Sequence, residues 1–155
     1  MTDADRRTEI EAIVADYVAV RRRIDQGEGK WSDLARFFTA DAVFIDPAHG
    51  RIDGIAAITE FLDASMVGLE DWRFPIEFVA VDGDNVAVKW LQVFPNGAQQ
   101  SGWSRMVYAG DGKFRYEEDT LNMAHVLEDM KGLHWRPTEG FLPPPAQPNR
   151  DFSIP

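Results

Sequence analysis

The sequence predicts an α+β fold, in which helices pack on a twisted, mainly antiparallel sheet. Up to Met66, three segments carry apolar residues at intervals of three or four, the spacing of a helix with one buried face. From Trp72 onward the interval becomes two, which is typical of strands, and turn sequences separate the segments. Because helices and strands occupy separate parts of the chain, an α+β fold is favoured over an alternating α/β fold.

The first helix is predicted from roughly Arg6 to Asp25, and Gly27 ends it. Three arginines, residues 21–23, lie near its C-terminal end, where we interpret them as positive charge that complements the helix dipole. Ser32 is the expected N-cap of a short second helix around Phe37.

An early strand is predicted from Ala42 to Asp46, and Pro47 ends it because proline has no N–H to donate to a sheet. Gly50 and the pair Asp53-Gly54 are predicted to form turns. A third helix follows, and its apolar stripe consists of Ile55, Ile58, Phe61, Leu62 and Met66.

Four strands joined by hairpin turns form the predicted meander. Their predicted bounds are Trp72–Val81, Val86–Phe94, Gln99–Ala109 and Lys113–Thr120. In the second of these strands, one face is predicted to carry Val86, Val88, Trp90, Gln92 and Phe94. Asn122 is the expected N-cap of a last helix that runs through Met130 and ends at Gly132. A strongly twisted sheet around helices leaves a blind pocket between them.

The composition excludes several classes of function. The chain has 155 residues, which suits a single hydrophobic core, and no cysteine, so disulfides and thiolate metal sites are excluded. Its net charge of −10 repels phosphate backbones and anionic membranes, so we expect it to bind neither nucleic acid nor membranes. We find no signal peptide or membrane-spanning run and expect a cytoplasmic protein. Glycine-rich nucleotide loops and metal-spaced histidines are missing, so we predict no cofactor and no metal.

Three stretches together resemble the NTF2-like superfamily in its SnoaL-like and ketosteroid-isomerase branches: residues 31–47 (WSDLARFFTADAVFIDP), 54–62 (GIAAITEFL) and 110–119 (GDGKFRYEED). The resemblance covers about residues 5–133. It implies a cone of helices packed on a strongly curved, mixed, mainly antiparallel sheet, with a pocket at the wide end. It also implies a homodimer formed through the outer face of the sheet, which Trp103 is expected to join.

The chain is therefore divided into an NTF2-like domain, residues 1–133, and a proline-rich C-terminal arm, residues 134–155. The six prolines of the arm exclude a helix. Two alternatives remain for it: a flexible terminus, or an extended segment docked through Trp135, Phe141 and Phe152.

The resemblance implies four candidate catalytic residues. Asp46, at a strand end before Pro47, corresponds to the general base of the isomerase branch, and an apolar pocket would raise its proton affinity. Tyr17 corresponds to the tyrosine that donates to the oxyanion. Asp119 corresponds to the catalytic aspartate of the epoxide-hydrolase branch. His49, three residues after Asp46, is a candidate second base or proton shuttle.

Further residues are expected to bind the substrate. Glu117 lies two positions before Asp119 and so shares its face of the strand. Ser104 stands where the isomerase branch has a protonated aspartate, and serine is a weaker donor, which argues against steroid isomerisation. The predicted apolar lining consists of Trp90, Phe44, Met66, Met106, Tyr108 and Phe78. These side chains favour an apolar ligand that is aromatic or polyketide- or steroid-like.

Three functions remain open at this point. The first is a cofactor-independent acid–base enzyme of the isomerase, cyclase, dehydratase or lyase type. The second is an epoxide hydrolase, which requires Arg105 in the pocket, although strand parity places Arg105 on the opposite side from Ser104. The third is a non-catalytic small-molecule-binding or dimerisation module, in which Asp46 and Asp119 face solvent.

Overall fold

The computed structural model describes residues 1–155, which form three α-helices, one 3₁₀ helix and six strands. The helices are α1 (Asp3–Asp25), the 3₁₀ helix (Trp31–Phe37), α2 (Ile55–Ala64) and α3 (Met123–Gly132). The strands are β1 (Phe38–Asp46), β2 (Gly50–Asp53), β3 (Ile76–Asp82), β4 (Asn85–Val93), β5 (Gln99–Gly110) and β6 (Lys113–Leu121). The predicted α+β class is confirmed.

The six strands form one open sheet in the order β2-β1-β6-β5-β4-β3. All neighbours are antiparallel except β1 and β6, which run parallel, so the sheet is mixed, as predicted. The β1–β6 pairing joins the early strand to the last one and places Phe44 beside Glu117. This one parallel contact brings residues from both ends of the chain to the same face of the sheet.

Helix α1 begins earlier than predicted because Thr2 and Asp5 form a capping box. Its buried face consists of Ile10, Val14, Tyr17, Arg21 and Ile24. Of the three arginines that were interpreted as complementing the helix dipole, Arg21 is instead buried and only 6% exposed. Arg22 and Arg23 remain in the last turn, where their charge complements the helix dipole.

The segment after α1 differs from the prediction at two points. Ser32 is not an N-cap; the carboxylate of Asp33 accepts the backbone N–H of Lys30 instead, at 3.1 Å, and the helix is 3₁₀. The segment Gly50–Asp53 was predicted as turns but pairs with β1 as an edge strand. Four residues are too few to show a periodic pattern, so its glycine and aspartate dominated the prediction.

The strand predicted from Trp72 begins only at Ile76. Pro75 has no N–H for a sheet ladder, and the residues before it contribute only the isolated bridge of Arg73 to Val93. Trp72 packs on the ring of Phe94 at 4.2 Å between centroids, so its side chain is buried outside the sheet. Helix α2 likewise ends before Met66, which lies in the following turn.

The main core lies between α1, α2 and the inner face of the sheet. Its β4 contribution follows the predicted face, since all five predicted residues from Val86 to Phe94 are buried. Asn122 caps α3 as predicted, by accepting the N–H groups of Ala124 and His125. None of the helices is both long enough and apolar enough to cross a lipid bilayer.

The C-terminal arm has no helix or strand, and its last residues contact β2 of the same chain. Asn149 forms a parallel bridge with Gly50, and its carbonyl accepts the N–H of Arg51 at 3.0 Å. The guanidinium of Arg51 donates to the carbonyls of Asp151 and Ser153, both at 2.8 Å. Phe152 remains 52% exposed, so its ring is not buried against its own chain, and docking on a neighbouring subunit stays a prediction.

Candidate active site

An apolar cavity of about 290 Å³ lies between the inner face of the sheet, α2, α3 and the arm. Of its 27 lining residues, 18 are hydrophobic. Helix α2 turns Phe61 and Leu62 toward it because they belong to the apolar stripe of that helix. The ionisable side chains in its wall form two groups, one at the deep end and one beside the arm.

The deep group begins with three side chains brought together by α1 and β6. Tyr17 and Arg21 are one helical turn apart, and an Nη of Arg21 donates to the hydroxyl of Tyr17 at 3.1 Å. That hydroxyl contacts Oε1 of Glu117 at 3.3 Å. All three residues are buried, and Tyr17 is held by edge-on contacts with Phe37 and Phe114.

Asp119 completes the deep group from the other side. Ser104 lies directly opposite it on β5 and donates to its Oδ1 at 2.5 Å. The indole N–H of Trp90 donates to the same serine hydroxyl at 2.9 Å. Gly102 makes room for this indole, because a Cβ at that position would overlap the ring of Trp90. Donors from α1 and from β4–β5 therefore converge on two adjacent carboxyl groups.

Burial gives these two carboxyl groups unusual proton affinities. Burial raises the pKa of Glu117 well above its ordinary value, and the nearby charge of Asp119 raises it further. Burial also raises the pKa of Asp119, to about 6, although hydrogen bonding from Ser104 and the charge of Arg21 oppose the rise. Both carboxyl groups therefore hold a proton more tightly than an exposed carboxyl group does. Burial and the Glu117 charge raise the pKa of Tyr17, which stays a neutral phenol.

The second polar group lies beside the arm and contains Asp46 and His49. Oδ1 of Asp46 accepts the N–H groups of Ala48 and His49, both at 2.8 Å, and contacts Nδ1 of His49 at 3.1 Å. Nε2 of His49 contacts the carbonyl of Leu142 at 3.1 Å. Asp46 thus lines the pocket and also holds the turn that follows β1.

The structure brings most of the predicted site residues to this pocket. The predicted residues in its wall are Tyr17, Phe44, Asp46, His49, Met66, Trp90, Glu117 and Asp119. Ser104 stands behind the wall and reaches the site only through Asp119.

Three predicted lining residues lie elsewhere. Phe78 is on the outer face of the sheet, 51% exposed, where its ring packs edge-on against Trp103. Met106 is buried in the core under α1 and does not reach the cavity. Tyr108 donates to Glu9 and accepts the N–H of Gly112, near the narrow end of the sheet. These residues were predicted to line the cavity because of their aromatic and thioether side chains, but Phe78 faces the other side of the sheet and the cavity occupies only part of the inner face.

Arg21 is the one functional candidate that the sequence analysis missed. Its position four residues after Tyr17 places it on the same face of the helix, a signal that the neighbouring arginines concealed. Arg105, the arginine considered instead, is exposed and donates to Asn85, as strand parity indicated. No three His, Asp or Glu side chains converge in a way that could hold a metal ion.

A family model for the SnoaL-like domain matches residues 14–116. No curated protein matches the sequence significantly.

Solved structures share the fold. A protein assigned as a SnoaL-like polyketide cyclase from Jannaschia sp. CCS1 is 21% identical, covering 77% of this chain and 90% of its own, with a TM-score of 0.60. A steroid delta-isomerase from Pseudomonas aeruginosa is 19% identical, covering 81% and 91%, with a TM-score of 0.56. TerC, co-crystallised with polyporic acid, is 24% identical, covering 79% and 98%, with a TM-score of 0.59. Identities this low establish the fold alone.

Proposed function

The chain belongs to the SnoaL-like domain family, and from that premise we propose that it is a cofactor-independent acid–base enzyme acting on an apolar molecule of aromatic, polyketide-like or steroid-like type. One observation carries the proposal: two carboxyl groups with raised pKa values, Glu117 and Asp119, stand side by side at the deep end of an apolar cavity. Two carboxyl groups with separated proton affinities supply both an acid and a base without a cofactor.

The cavity volume indicates the size of the substrate. A cavity of about 150 Å³ holds one benzene ring. The volume of about 290 Å³ is roughly twice that, so we propose a ligand of two fused rings. Aromatic walls, including Trp31, Phe74 and Trp90, suit planar rings.

The proposed reaction starts with proton transfer to Asp119. Its carboxylate accepts a proton from a carbon next to a carbonyl group, the C–H electron pair forms a C=C bond, and the carbonyl π electrons move to the oxygen. Tyr17 turns its hydroxyl proton from Oε1 of Glu117 to the resulting enolate oxygen, and Arg21 strengthens that donation by bonding to the phenol. Asp119 then returns the proton to another carbon or to a leaving oxygen, which gives isomerisation or dehydration respectively.

The sequence predicts Asp46 as the general base, whereas we propose that Asp119 is the base. Three donors already occupy Oδ1 of Asp46, so that oxygen is not free to accept a proton from a substrate. The two hydrogen bonds of Asp119 oppose a larger burial effect, which leaves its pKa near neutrality. A base of that strength transfers protons well at neutral pH.

A proton-exchange assay tests the proposal and does not require the product to be identified. The bicyclic ketone 2-tetralone has acidic C–H bonds, and its exchange in deuterated water is followed by proton NMR. The native chain should accelerate exchange, and the Asp119→Asn variant should not. If 2-tetralone and related ketones and phenols bind without exchange or turnover, the protein is a small-molecule-binding module instead.

An epoxide hydrolase is the second candidate, because Arg21 now supplies the buried arginine that Arg105 does not. In that reaction Asp119 removes a proton from water, the water oxygen bonds to an epoxide carbon, and Glu117 protonates the oxygen released from the ring. Limonene oxide is the test substrate, and formation of the diol, lost in Asp119→Asn, is the expected result. Unchanged hydrolysis in that variant would end this candidate.

A homodimer and a cytoplasmic location belong to the same proposal. Phe78 and Trp103 form an exposed aromatic pair on the outer face of the sheet, and such surfaces favour association. Light scattering of the native chain should give twice the monomer mass, and Trp103→Lys should give the monomer mass. Cell fractionation tests the location.

A further inference from the structure

We propose that the C-terminal arm is the roof of the active-site pocket, that it restricts the ligand to about two fused rings, and that a doubly protonated His49 latches it in place. The restriction to two rings rests on the proposed function, whereas the latch does not. Three observations carry the inference. The arm forms part of the cavity wall, His49 contacts both Asp46 of β1 and the Leu142 carbonyl of the arm, and two glycines of the domain leave room for the arm.

The arm contributes directly to the cavity wall. Phe141 and Pro144 both line the pocket. Phe141 packs edge-on against Trp135 at 4.9 Å between centroids, and Trp135 packs on the apolar cluster that contains Trp72 and Val126. The roof is thus supported from the domain side, and its removal would extend the cavity outward.

His49 joins the arm to Asp46 at the end of β1. Its Nδ1 faces Oδ1 of Asp46 and its Nε2 faces the carbonyl of Leu142, both at 3.1 Å. A carboxylate and a carbonyl can only accept hydrogen bonds, so both ring nitrogens must carry a proton. A neutral imidazole carries one proton and would lose one of the two contacts. Asp46 from β1 is the charged group facing the ring; α2 contributes the uncharged Phe61, and the arm contributes the Leu142 carbonyl.

The titration of His49 agrees with this geometry. Burial alone would lower the pKa of His49, but hydrogen bonds to Asp46 and Leu142 and the charge of Asp46 raise it above its ordinary value. The stabilisation of the docked arm is therefore fully present below pH 6.5, the ordinary value, and is lost as the pH rises through the raised pKa. The roof should open as the pH rises through this raised pKa.

Two glycines of the domain accommodate the arm. A Cβ at Gly50 would lie 2.6 Å from the carbonyl oxygen of Asn149, and one at Gly68 would lie 2.7 Å from Oγ1 of Thr138. Both glycines also have positive φ, at +81° and +85°. The path of the arm is therefore matched to the domain surface at both ends of the roof.

The test compares the affinities of two uncharged ketones, the two-ring 2-tetralone and the four-ring androst-4-ene-3,17-dione, for the full-length chain. Calorimetry at about pH 5.5 and about pH 8.5 spans the titration of a histidine. The ratio of the two affinities removes effects of pH that act on both ligands. In the native chain we expect the ratio to shift toward the four-ring ketone by about tenfold at the higher pH. Phe141→Ala should show the shifted ratio at both pH values.

His49→Gln keeps a polar side chain but removes the titration, so its ratio should not change with pH. His125→Gln, on exposed α3, is the matched control and should retain the native shift. Nitrogen-15 NMR of the histidine rings provides a readout that needs no ligand, and His49 should lose the proton from its second nitrogen with a midpoint above pH 6.5, the ordinary value. A midpoint at or below pH 6.5, the ordinary value, or a pH-dependent ratio in His49→Gln, overturns the latch. If neither ketone binds any form, the proposed ligand class is wrong, while the NMR result still decides the latch.

Discussion

Asp119 and Asp46 line the same pocket, but their surroundings differ in the features that set proton affinity. Asp119 lies in the deep group beside a second carboxyl group, and burial raises its pKa to about 6. Asp46 lies beside the arm, and one of its oxygens accepts three donors, including His49. The deep carboxylate is therefore suited to exchanging protons, and the outer one to holding a turn and a histidine. Residue type and position in the pocket wall do not distinguish them; their hydrogen-bond partners do.

The largest expected effect separates the two aspartates directly. Asp119→Asn should slow exchange of the ketone probe by about 10² to 10⁴, the usual contribution of a general base. Asp46→Asn should cost about tenfold or less, because it removes a charge but leaves Asp119 in place. Proton NMR measures both rates, with circular dichroism as the control for folding. If Asp46→Asn slows exchange as much as Asp119→Asn does, the assignment of Asp119 as the base is wrong.

Tyr17→Phe tests the oxyanion donor of the deep group. Removing the phenol should slow exchange by about 10² to 10³, as removal of an oxyanion donor does in other enzymes. Tyr108→Phe is the matched control, because its hydroxyl bonds to Glu9 and Gly112 outside the pocket. Comparable rates in the two variants would remove Tyr17 from the mechanism.

Gly102→Ala disturbs the support of Asp119 without touching the outer group. The added methyl group would overlap the ring of Trp90, which must move and weaken its bond to Ser104. Overpacking of this kind should lower the free energy of unfolding by about 1–3 kcal/mol, measured by urea denaturation. Ser101→Ala, at the exposed neighbouring position, should change it by less than about 0.5 kcal/mol. Equal stability of both variants would show that Trp90 has free space.

The smallest expected effects are displacements of the pH profile. Asp119 must be ionised to act as a base, so the rate should fall as the pH drops through about 6. Ser104→Ala removes a hydrogen bond that lowers the pKa of Asp119, and the midpoint should move to higher pH. Asp46→Asn removes a charge that raises this pKa, and the midpoint should move to lower pH. If the midpoint moves in the same direction in Ser104→Ala and Asp46→Asn, the effects assigned to Ser104 and Asp46 on the pKa of Asp119 are wrong.

The late strands were predictable from sequence because their pattern is strictly local. The bounds of β4, β5 and β6 agree with the predicted ones to within one residue, since period-two patterns and glycine turns mark both ends. Gly50–Asp53 escaped prediction because an edge strand of four residues depends on its partner β1 for definition. The predicted start of β3 at Trp72 was wrong, because an aromatic side chain fits a strand pattern and a core position outside the sheet equally well.

The site was predictable in its residues but less so in their roles. Tyr17 and Asp119 were predicted from the family resemblance, and strand periodicity added Glu117 because it shares a face with Asp119; all three line the pocket. The role of His49 depends on Leu142, 93 positions later along the chain, and no local pattern predicts that contact. Arg21 escaped notice because charge usually indicates exposure, and only the partners Tyr17 and Phe74 make its burial tolerable.

The parallel pairing of β1 with β6 also determines when the site can form during folding. Tyr17 and Glu117 are 100 positions apart, so the loop between them must close before their hydroxyl and carboxyl groups meet. Contacts at such separation slow folding, because chain entropy is lost before the contact compensates for it. A chain emerging from the ribosome can complete α1 and β1 early, yet Glu117 and Asp119 join Tyr17 only when β6 is synthesised and paired. The proposed activity should therefore appear late in folding, after most of the helical signal has formed.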